Sequence, residues 1–396
     1  MARTKSKTPK KKDGHRGHRE GSICQLKNGM WLGQLQAGFK KNGARKFITK
    51  KSKDKQVVLE WLAKNQNNIM NNTFVESSSI TLEQWIWNWM TVYKLNSVEG
   101  NTYARYISLI NNHIAPEITK LKLKDLSKSQ LQNIYNHIMD KGLAYESMKH
   151  VHTVFNQALK CAVAENLIAQ NFAEGLNKGK KEDVEEVAVF TREQQRQIID
   201  NLPLSPLGVL IRTGVGTGAR LGELLGLSWD DVDLENNIIH IRNGLKKKKV
   251  FSEDGKKIIK HYLALGKLKT PKSRRDIPIN DATASMLKKY KLTQRSFIKN
   301  KDIIPTMVFL SSAGTYWDEC NARKQYTKFL KSIDIPYIKF HALRHTFATR
   351  ILEENVQPKV AQELLGHSTV SITMDIYSHV LPDVKREAME KIKEIV

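Results

Sequence analysis

The sequence of 396 residues has only three cysteines, Cys24, Cys161 and Cys320, and they are too far apart to form a CxxC pair. Such sparse usage excludes a disulfide-rich secreted domain and suits a reducing compartment, where we expect all three to be small core residues. No run of about 18 apolar residues occurs, so no membrane span is predicted. The polar first 20 residues lack the apolar segment of a secretory signal, which favours the cytoplasm.

Acidic residues are also outnumbered, with 40 Asp and Glu against 65 Lys and Arg and a formal net charge of +25. The first 70 residues hold 18 of the basic residues and only four acids, a net +14, and the rest of the chain carries the remaining +11. A solubilising tail would account for the first part alone. An excess along the whole chain favours nucleic acid as the partner.

The N-terminal part predicts a basic arm, residues 1–20, that is disordered because it has hardly any apolar side chain. A module over 21–75 follows, with three strands and a helix at Ser22–Leu26, Trp31–Ala37, Arg45–Thr49 and Asp54–Met70. Asn-Gly pairs between the strands predict type I′ hairpin turns. The sheet has a cationic face suited to a DNA major groove, although an accessory sheet without a ligand is the alternative. The candidate DNA contacts are Lys40, Lys41, Arg45 and Lys46.

Residues 80–175 predict an all-α domain of about four helices. Thr81 is a candidate N-cap, and Ser127 with Gln130 predicts a capping box. Apolar residues recur at helical spacing after each cap, so the tryptophans at 85 and 89 are predicted to be core residues rather than platforms for stacked bases.

Residues 190–396 predict a mixed α+β domain. Its elements are a helix capped by Thr191, a Gly- and Leu-rich helix over 206–226, strands at "IIHIRN" and "SRRDIPI", and several C-terminal helices. The glycines at 214, 216 and 218 do not match G-x-G-x-x-G, and no Walker lysine follows, so no nucleotide cofactor is predicted. Arg220 is predicted to lie in the second helix with Glu223 at i+3, where an ordinary surface ion pair is the simpler interpretation.

Two histidines flank an arginine near the C-terminus. His341 precedes Arg344 by three residues at the start of an apolar helix, and Gly366 predicts a helix end that places His367 just beyond it. His341 and His345 have the spacing of H-x-x-x-H, but the Glu of a zinc-protease motif and a third ligand are missing, so no metal site is predicted.

These residues make chemical sense as one pocket that binds a phosphodiester. Two guanidinium groups can hold the non-bridging oxygens and stabilise a pentacoordinate state, so no metal is required. A tyrosine hydroxyl can attack phosphorus, and a lysine or histidine can protonate the leaving oxygen. The candidate set is Arg220, Lys269, His341, Arg344, His367 and Tyr377.

The same residues carry a resemblance to a known family. The order R…K…H-x-x-R…H…Y, with "TGARLGELLGLSWDDVD", "HALRHTFATR" and "LLGHSTVSITMDIYSHV", resembles the tyrosine recombinase (phage integrase) family over residues 190–385. The helical segment resembles the core-type DNA-binding domain of that family. The basic sheet module resembles the arm-binding domain of integrases from phages and conjugative transposons.

The resemblance implies a role for each candidate. Arg220 and Arg344 would clamp the scissile phosphate, with Glu223 in support, and Tyr377 would form a 3′-phosphotyrosyl bond. Lys269, on a β-hairpin, would be the general acid, with Lys272 as the alternative. Lys272 and Arg274 would otherwise contact DNA. His341 would assist proton transfer, and His367 would hydrogen-bond the phosphate.

The resemblance implies a multi-domain, mainly α protein with small β-sheets that integrates and excises a mobile element. Its partners would be double-stranded DNA at core and arm sites, three further protomers in a tetramer, and an excision factor or host DNA-bending protein, in the nucleoid of a bacterial host. No cofactor is implied. A type IB topoisomerase and a non-catalytic DNA-binding regulator are the alternatives. The apolar face of a tail helix after Tyr377 would dock on its own domain or on a neighbouring protomer.

Overall fold

The computed structural model describes residues 21–39, 43–70, 80–181, 188–268 and 273–377. They form two compact units: an N-terminal unit, which takes in the described residues before 183 together with Ser252–Lys257, and a C-terminal unit, which takes in the others. Several predicted features lie outside the described residues. They are the N-terminal arm, the Asn of the second Asn-Gly turn, Lys40, Lys41 and the C-terminal tail helix. No described helix is both long enough and apolar enough to cross a membrane.

The N-terminal module is the predicted three-stranded antiparallel sheet with one helix. Its elements, in sheet order, are β1 (Ser22–Gln25), β2 (Trp31–Phe39) and β3 (Arg45–Ser52), followed by α1 (Lys55–Met70). Leu35 of the sheet and Val58 and Leu62 of the helix form its buried centre. A Cβ at Gly33 would lie 2.6 Å from Val58, so only a glycine in β2 lets the helix approach the sheet this closely.

The first hairpin turn differs from the prediction. Leu26 and Met30 pair across a three-residue loop, and the amide of Gly29 donates to the carbonyl of Leu26. Gly29 has a positive φ of 81°, whereas Asn28 does not. A type I′ turn needs positive φ at both residues, so the prediction was wrong, and Asn-Gly serves here as the end of a longer turn.

The helical part of the N-terminal unit follows the predicted pattern. It comprises α2 (Leu82–Trp89), α3 (Gly100–Leu109), α4 (Ala115–Ile118), α5 (Lys128–Asp140) and α6 (Tyr145–Ala164), with π-helical turns extending α2 and α3. The capping boxes of Thr81 and Ser127 are both present. Trp85 and Trp89 are buried, and the indole nitrogen of Trp85 donates to the carbonyl of Ala158 at 2.8 Å, so both are core residues as predicted.

The C-terminal unit combines helices with two small sheets. Its helices are α7 (Arg192–Asp200), α8 (Pro206–Thr217), α9 (Leu221–Leu225), α10 (Asp281–Thr293), α11 (Glu319–Ser332), α12 (Ala342–Glu353), α13 (Pro358–Leu365) and α14 (Val370–Tyr377). One sheet has the order β4 (Val232–Asp233), β5 (Ile238–Ile241), β8 (Arg275–Pro278), and the other is a hairpin of β6 (Asn243–Phe251) and β7 (Ile258–Lys267). A hairpin was predicted around Lys269, but the strands and length of this one were not, and β7 ends at Lys267, before that residue.

Two further predictions need correction. The helix expected over 206–226 is two helices, because Gly218 ends α8 with a left-handed φ of 61°, and Arg220 is therefore the N-cap of α9. A Cβ at Gly218 would lie 2.5 Å from the ring of Phe347, so this break needs glycine. The cysteines were expected in the core, but Cys24 and Cys320 are exposed and Cys161 is half-buried.

Candidate active site

A cavity of about 580 Å³ in the C-terminal unit gathers four of the predicted residues, Arg220, Glu223, His341 and Arg344. Its wall includes the start of α9, the start of α12 and the connection between α13 and α14. Gly366 and Ser368, the two neighbours of His367, also line it. Residues that are far apart in the sequence therefore meet around one space.

Arg220 is held at the cavity by Glu223. The Arg220 backbone amide donates to Glu223 Oε2 at 3.0 Å, and its Nη1 donates to Oε1 at 2.9 Å. The Arg220 side chain is 40% exposed, whereas that of Glu223 is 6% exposed. The Glu223 carboxylate thus holds the Nη1 side of the Arg220 guanidinium, and the rest of the guanidinium remains partly exposed to solvent. The predicted pair exists, but it is a built element of the cavity and not a surface ion pair.

Glu223 is itself tied to a second arginine, because Arg275 Nη2 lies 2.8 Å from its Oε2. Burial opposes the negative charge of Glu223, but the charges and hydrogen bonds of Arg275 and Arg220 outweigh it and hold the pKa of the carboxyl below its usual value. The carboxylate stays ionised and links two guanidinium groups.

Arg344 is almost completely buried, with 3% of the residue exposed. Its Nη1 donates to the carbonyl of Gly218 at 2.8 Å and its Nη2 to the carbonyl of Leu365 at 2.7 Å. Burial, followed by the nearby charges of Arg220 and Arg275, lowers the pKa of Arg344 to about 9, so it remains protonated at neutral pH. A guanidinium has five N–H donors, and the two carbonyls leave others for an oxygen ligand in the cavity.

His341 occupies the N-cap position of α12, and its ring meets that of His345 edge-on at 4.7 Å. Loss of water around the ring is the main cause that lowers the pKa of His341 to about 4, with His345, Arg344 and Arg220 adding to it. The imidazole is therefore neutral at pH 7 and has a nitrogen lone pair that can accept a proton.

His367 follows Gly366, which ends α13 with a left-handed φ of 65°, as predicted. The residue is buried, and its Nδ1 lies 2.9 Å from the hydroxyl oxygen of Thr373 in α14. Burial, then Arg344 and Arg220, lowers the pKa of His367 to about 4. Tyr377 is the last residue of α14, four positions after Thr373, so His367 touches the helix that carries the predicted nucleophile.

The other predicted residues are distributed as follows. Lys269 and Lys272 lie outside the described residues, and so does the side chain of Tyr377. Arg274 is exposed just before β8, Arg45 is exposed on β3, and Lys46 is half-buried beside it. Within the described ranges, no three His, Cys, Asp or Glu side chains are grouped as a metal ion would need.

Sequence reasoning missed the part that Arg275 has in this site. A usable signal was present, because alternate residues of a strand face the same side. In "RRDIPI", Arg275 has the parity of Ile277 and Ile279, which are buried, whereas Arg274 has the opposite parity and is exposed. The strand pattern therefore distinguishes the two neighbouring arginines.

Comparisons with known proteins agree on one family. Residues 180–383 match the phage integrase family, and residues 81–139 match the N-terminal SAM-like domain of phage integrases. A tyrosine recombinase XerC-like protein of Caldanaerobacter subterraneus subsp. tengcongensis is 31% identical over 341 residues, which cover 83% of this chain and 87% of that protein.

Two solved structures show the same fold. The Tn1549 transposon integrase in complex with transposon right end DNA is 22% identical, with a TM-score of 0.65, over 79% of this chain and 100% of that chain. A lambda integrase tetramer bound to a Holliday junction is 17% identical, with a TM-score of 0.57, over 91% of this chain and 96% of that chain.

Proposed function

The chain belongs to the phage integrase family and is a tyrosine site-specific recombinase, and from that premise we propose that the cavity around Arg220 and Arg344 binds the scissile phosphate of DNA and that Tyr377 attacks it. The observation that carries this proposal is the pair of guanidinium groups at one cavity. Arg220 is fixed by a carboxylate and Arg344 by two backbone carbonyls, beside two neutral imidazoles.

The proposed first step is a transesterification. The Tyr377 oxygen forms a bond to phosphorus, the bond from phosphorus to the 5′-oxygen breaks, and the other strand end remains linked to the protein as a 3′-phosphotyrosyl ester. The tyrosine proton passes to neutral His341, and the 5′-oxygen takes a proton from Lys269. Arg220 and Arg344 stabilise the charge that gathers on the non-bridging oxygens, with a hydrogen bond from His367.

The second step is the reverse reaction with a new partner strand. A 5′-hydroxyl from another DNA end attacks the phosphotyrosyl ester and releases Tyr377. The number of phosphodiester bonds is conserved, so the energy of the broken bond is kept in the protein–DNA link and no external energy source is needed. Repeated at two strand pairs, the reaction integrates or excises a mobile element.

The proposed substrate is double-stranded DNA with two kinds of site. Residues 80–175 and the C-terminal unit would bind core sites, and the N-terminal module, with Arg45 and Lys46, would bind arm sites. The solved complex of the Tn1549 integrase with transposon right end DNA supports DNA as the partner of this chain, and the lambda integrase tetramer bound to a Holliday junction supports a tetramer on that DNA. If one protomer holds a core site and an arm site at the same time, the DNA between the two sites must bend. A DNA-bending protein or an excision factor would stabilise that bend.

A nicked half-site taken from the junction of the element that carries the gene tests the proposal. Cleavage next to the nick releases a short oligonucleotide and traps the protein as a covalent adduct that survives denaturing electrophoresis. We expect an adduct with the unaltered chain and none with Tyr377→Phe, whose DNA affinity should be nearly unchanged because one hydroxyl contributes little to the charge that drives binding.

The control variant is Tyr337→Phe, since Tyr337 is an exposed tyrosine outside the cavity lining and should leave the adduct unchanged. An adduct that persists in Tyr377→Phe would show that another residue is the nucleophile. Adducts that form equally on DNA of unrelated sequence would instead indicate a topoisomerase. A chain that binds the junction but never forms an adduct would be a regulator.

A further inference from the structure

Arg275 is a buried arginine that joins three segments of the C-terminal unit. Its side chain is 5% exposed. Nη2 donates to Glu223 Oε2 at 2.8 Å, Nε donates to the carbonyl of Leu364 at 2.7 Å, and Nη1 donates to the carbonyl of Ser273 at 2.9 Å. These three bonds use all three nitrogens of the planar guanidinium group. A lysine ammonium has one nitrogen and cannot reproduce that geometry.

The bond to Glu223 leads to Arg220. The two oxygens of Glu223 accept from Arg220 Nη1, from the Arg220 backbone amide and from Arg275 Nη2. Without Arg275, the buried carboxylate would lose the largest of the attractions that lower its pKa, while the cost of its burial would remain. A carboxylate that protonates or turns toward solvent no longer holds the Arg220 guanidinium in one direction.

The bond to Leu364 leads to His367 and Arg344. The last carbonyls of a helix have no partner within it, and at the end of α13 two arginines supply partners, Arg275 to Leu364 and Arg344 to Leu365. The chain then turns through Gly366, where a Cβ would lie 3.1 Å from Arg275 Nη1. Arg275 therefore packs against the turn that sets the position of His367.

We propose that Arg275 is a positioning residue of the recombinase, which sets the direction of Arg220 and the place of His367 and Arg344 together, although it does not line the cavity that receives the phosphate. The proposal rests on the proposed function of that cavity. It explains why a second arginine is bonded to Glu223, whose contacts with Arg220 alone would suffice for a simple ion pair. Displacements of about 1 Å in a site of this kind can cost about 100-fold in rate.

Arg275→Lys, which keeps the charge and loses the fork, tests this. In the full-length chain, we expect the rate of adduct formation on the nicked half-site to fall by about 100-fold, while the DNA dissociation constant stays within about twofold because the net charge is unchanged. A fall in affinity as large as the fall in rate, or a rate equal to that of the unaltered chain, would overturn the proposal.

Arg350→Lys is the matched control for a purely structural loss. Arg350 also bonds a glutamate, Glu353, and a backbone carbonyl, that of Phe190, with its side chain mostly buried, but it does not line the cavity. We expect both variants to lower the melting temperature by a few degrees and only Arg275→Lys to slow cleavage at a temperature where both are folded. Equal slowing in the two variants would reduce Arg275 to a structural residue.

A half-site with sulfur in place of the 5′-bridging oxygen separates two routes of action. The leaving thiolate needs no proton, so this DNA bypasses a defect in leaving-group protonation but not a defect in the phosphate clamp. We expect the slow rate of Arg275→Lys to persist on it. Recovery to the rate of the unaltered chain would overturn the proposal, and an unaltered chain that forms no adduct on either DNA would overturn the proposed function itself.

Discussion

The N-terminal module and the C-terminal unit both carry positive charge, but they hold it differently. In the module, cations such as Arg45, Lys50 and Lys51 lie exposed on a strand above a small apolar centre. In the C-terminal unit, Arg275 and Arg344 are buried and hydrogen-bonded to a carboxylate and to backbone carbonyls. Exposed charges attract DNA independently of one another and are screened by salt, whereas buried charges act through fixed geometry.

The two regions should differ in how well they tolerate the loss of a single cationic side chain. Under the proposed arm-binding role, removing one exposed cation from the module should take away one weak contribution to binding. Removing one buried arginine leaves several partners unsatisfied at once, so the damage spreads to neighbours of the residue. Binding should therefore decline in small steps, and catalysis should fail sharply.

The strongest way to sharpen this contrast is to remove the module entirely. Deletion of residues 1–75 should abolish a second, distinct DNA-binding activity, while residues 80–396 still bind and cleave core sites, because the cavity lies wholly in the C-terminal unit. Footprinting on attachment-site DNA should show one protected region lost and the core region kept. An unchanged footprint would contradict both the arm-binding role and the comparison.

A single buried arginine should give the next largest effect. Arg344→Lys cannot serve the carbonyls of Gly218 and Leu365 together, and it removes donors from the developing phosphate charge, so cleavage should fall by about 10²–10³-fold. An unsatisfied buried carbonyl should also cost about 1–3 kcal/mol of stability. Both quantities are measurable, as the adduct rate and the free energy of unfolding.

The control is Arg192→Lys, in the same unit but in an exposed ion pair with Glu353. It should change stability by less than about 1 kcal/mol and leave cleavage unaltered. If Arg192→Lys were as damaging as Arg344→Lys, burial would not be what distinguishes the cations of this unit.

The segment after α14 tests whether tetramer assembly is lost gradually, as we expect for DNA binding, or abruptly, as we expect for catalysis. Val384, Ala388, Met389, Ile392 and Ile395 share one face of a helix predicted from the sequence, and burying the larger ones on a neighbouring protomer would contribute about 1.5–3 kcal/mol each. Replacing Met389 and Ile392 by Asp, or ending the chain after Leu381, should weaken the joining of two sites and leave half-site binding intact. Undiminished tetramer formation by the shortened chain on paired sites would exclude docking between protomers.

The smallest effect should be on stability against acid. Unfolded histidine has a pKa of about 6.5, whereas the folded pKa values of His341 and His367 are about 4. Between these values the unfolded chain binds more protons, so the unfolding free energy is highest above about pH 6.5 and falls as the pH drops toward 4. The melting temperature should decrease by several degrees between pH 7.5 and pH 5.

His367→Gln should flatten part of this dependence, since it removes one of the histidines whose pKa is lowered by burial. The module offers the contrast, because residues 21–75 contain no histidine. A melting temperature that rises as the pH falls from 7.5 to 5 would contradict the neutral, buried state of these rings.

Local patterns were sufficient for much of this architecture. The helix faces and the capping boxes of Thr81 and Ser127 depend on neighbours within four residues, so their periodicity was legible. The end of α13 was predicted for the same reason, because Gly366 directly follows the last apolar residues of that helix, at the position where a left-handed glycine commonly ends a helix. The convergence of Arg220, His341 and Arg344 on one cavity followed from the chemistry that such residue types perform together.

Other features depend on distant partners and could not be predicted. Gly218 resembles any glycine in an apolar helix, and the neighbours that exclude a side chain there, Phe347 and Leu365, lie well over a hundred positions later. The strands of the hairpin, β6 and β7, were missed because the lysine run from 246 to 249 interrupts the alternation that identifies a strand. The exposure of Cys24 and Cys320 is likewise set by which face of each element packs, which two isolated residues do not reveal.

The bond between Arg344 and Gly218 spans 126 residues, and this separation matters during synthesis on the ribosome. At about 5–20 residues per second, Arg344 is added about 6–25 seconds after Gly218. A nascent chain that already contains Arg220 and Glu223 still lacks Arg344, His367 and the end of α13, so under the proposed mechanism it has no complete phosphate site and should not cleave DNA. For the same reason, a translation product that stops in this interval should form no covalent adduct with DNA.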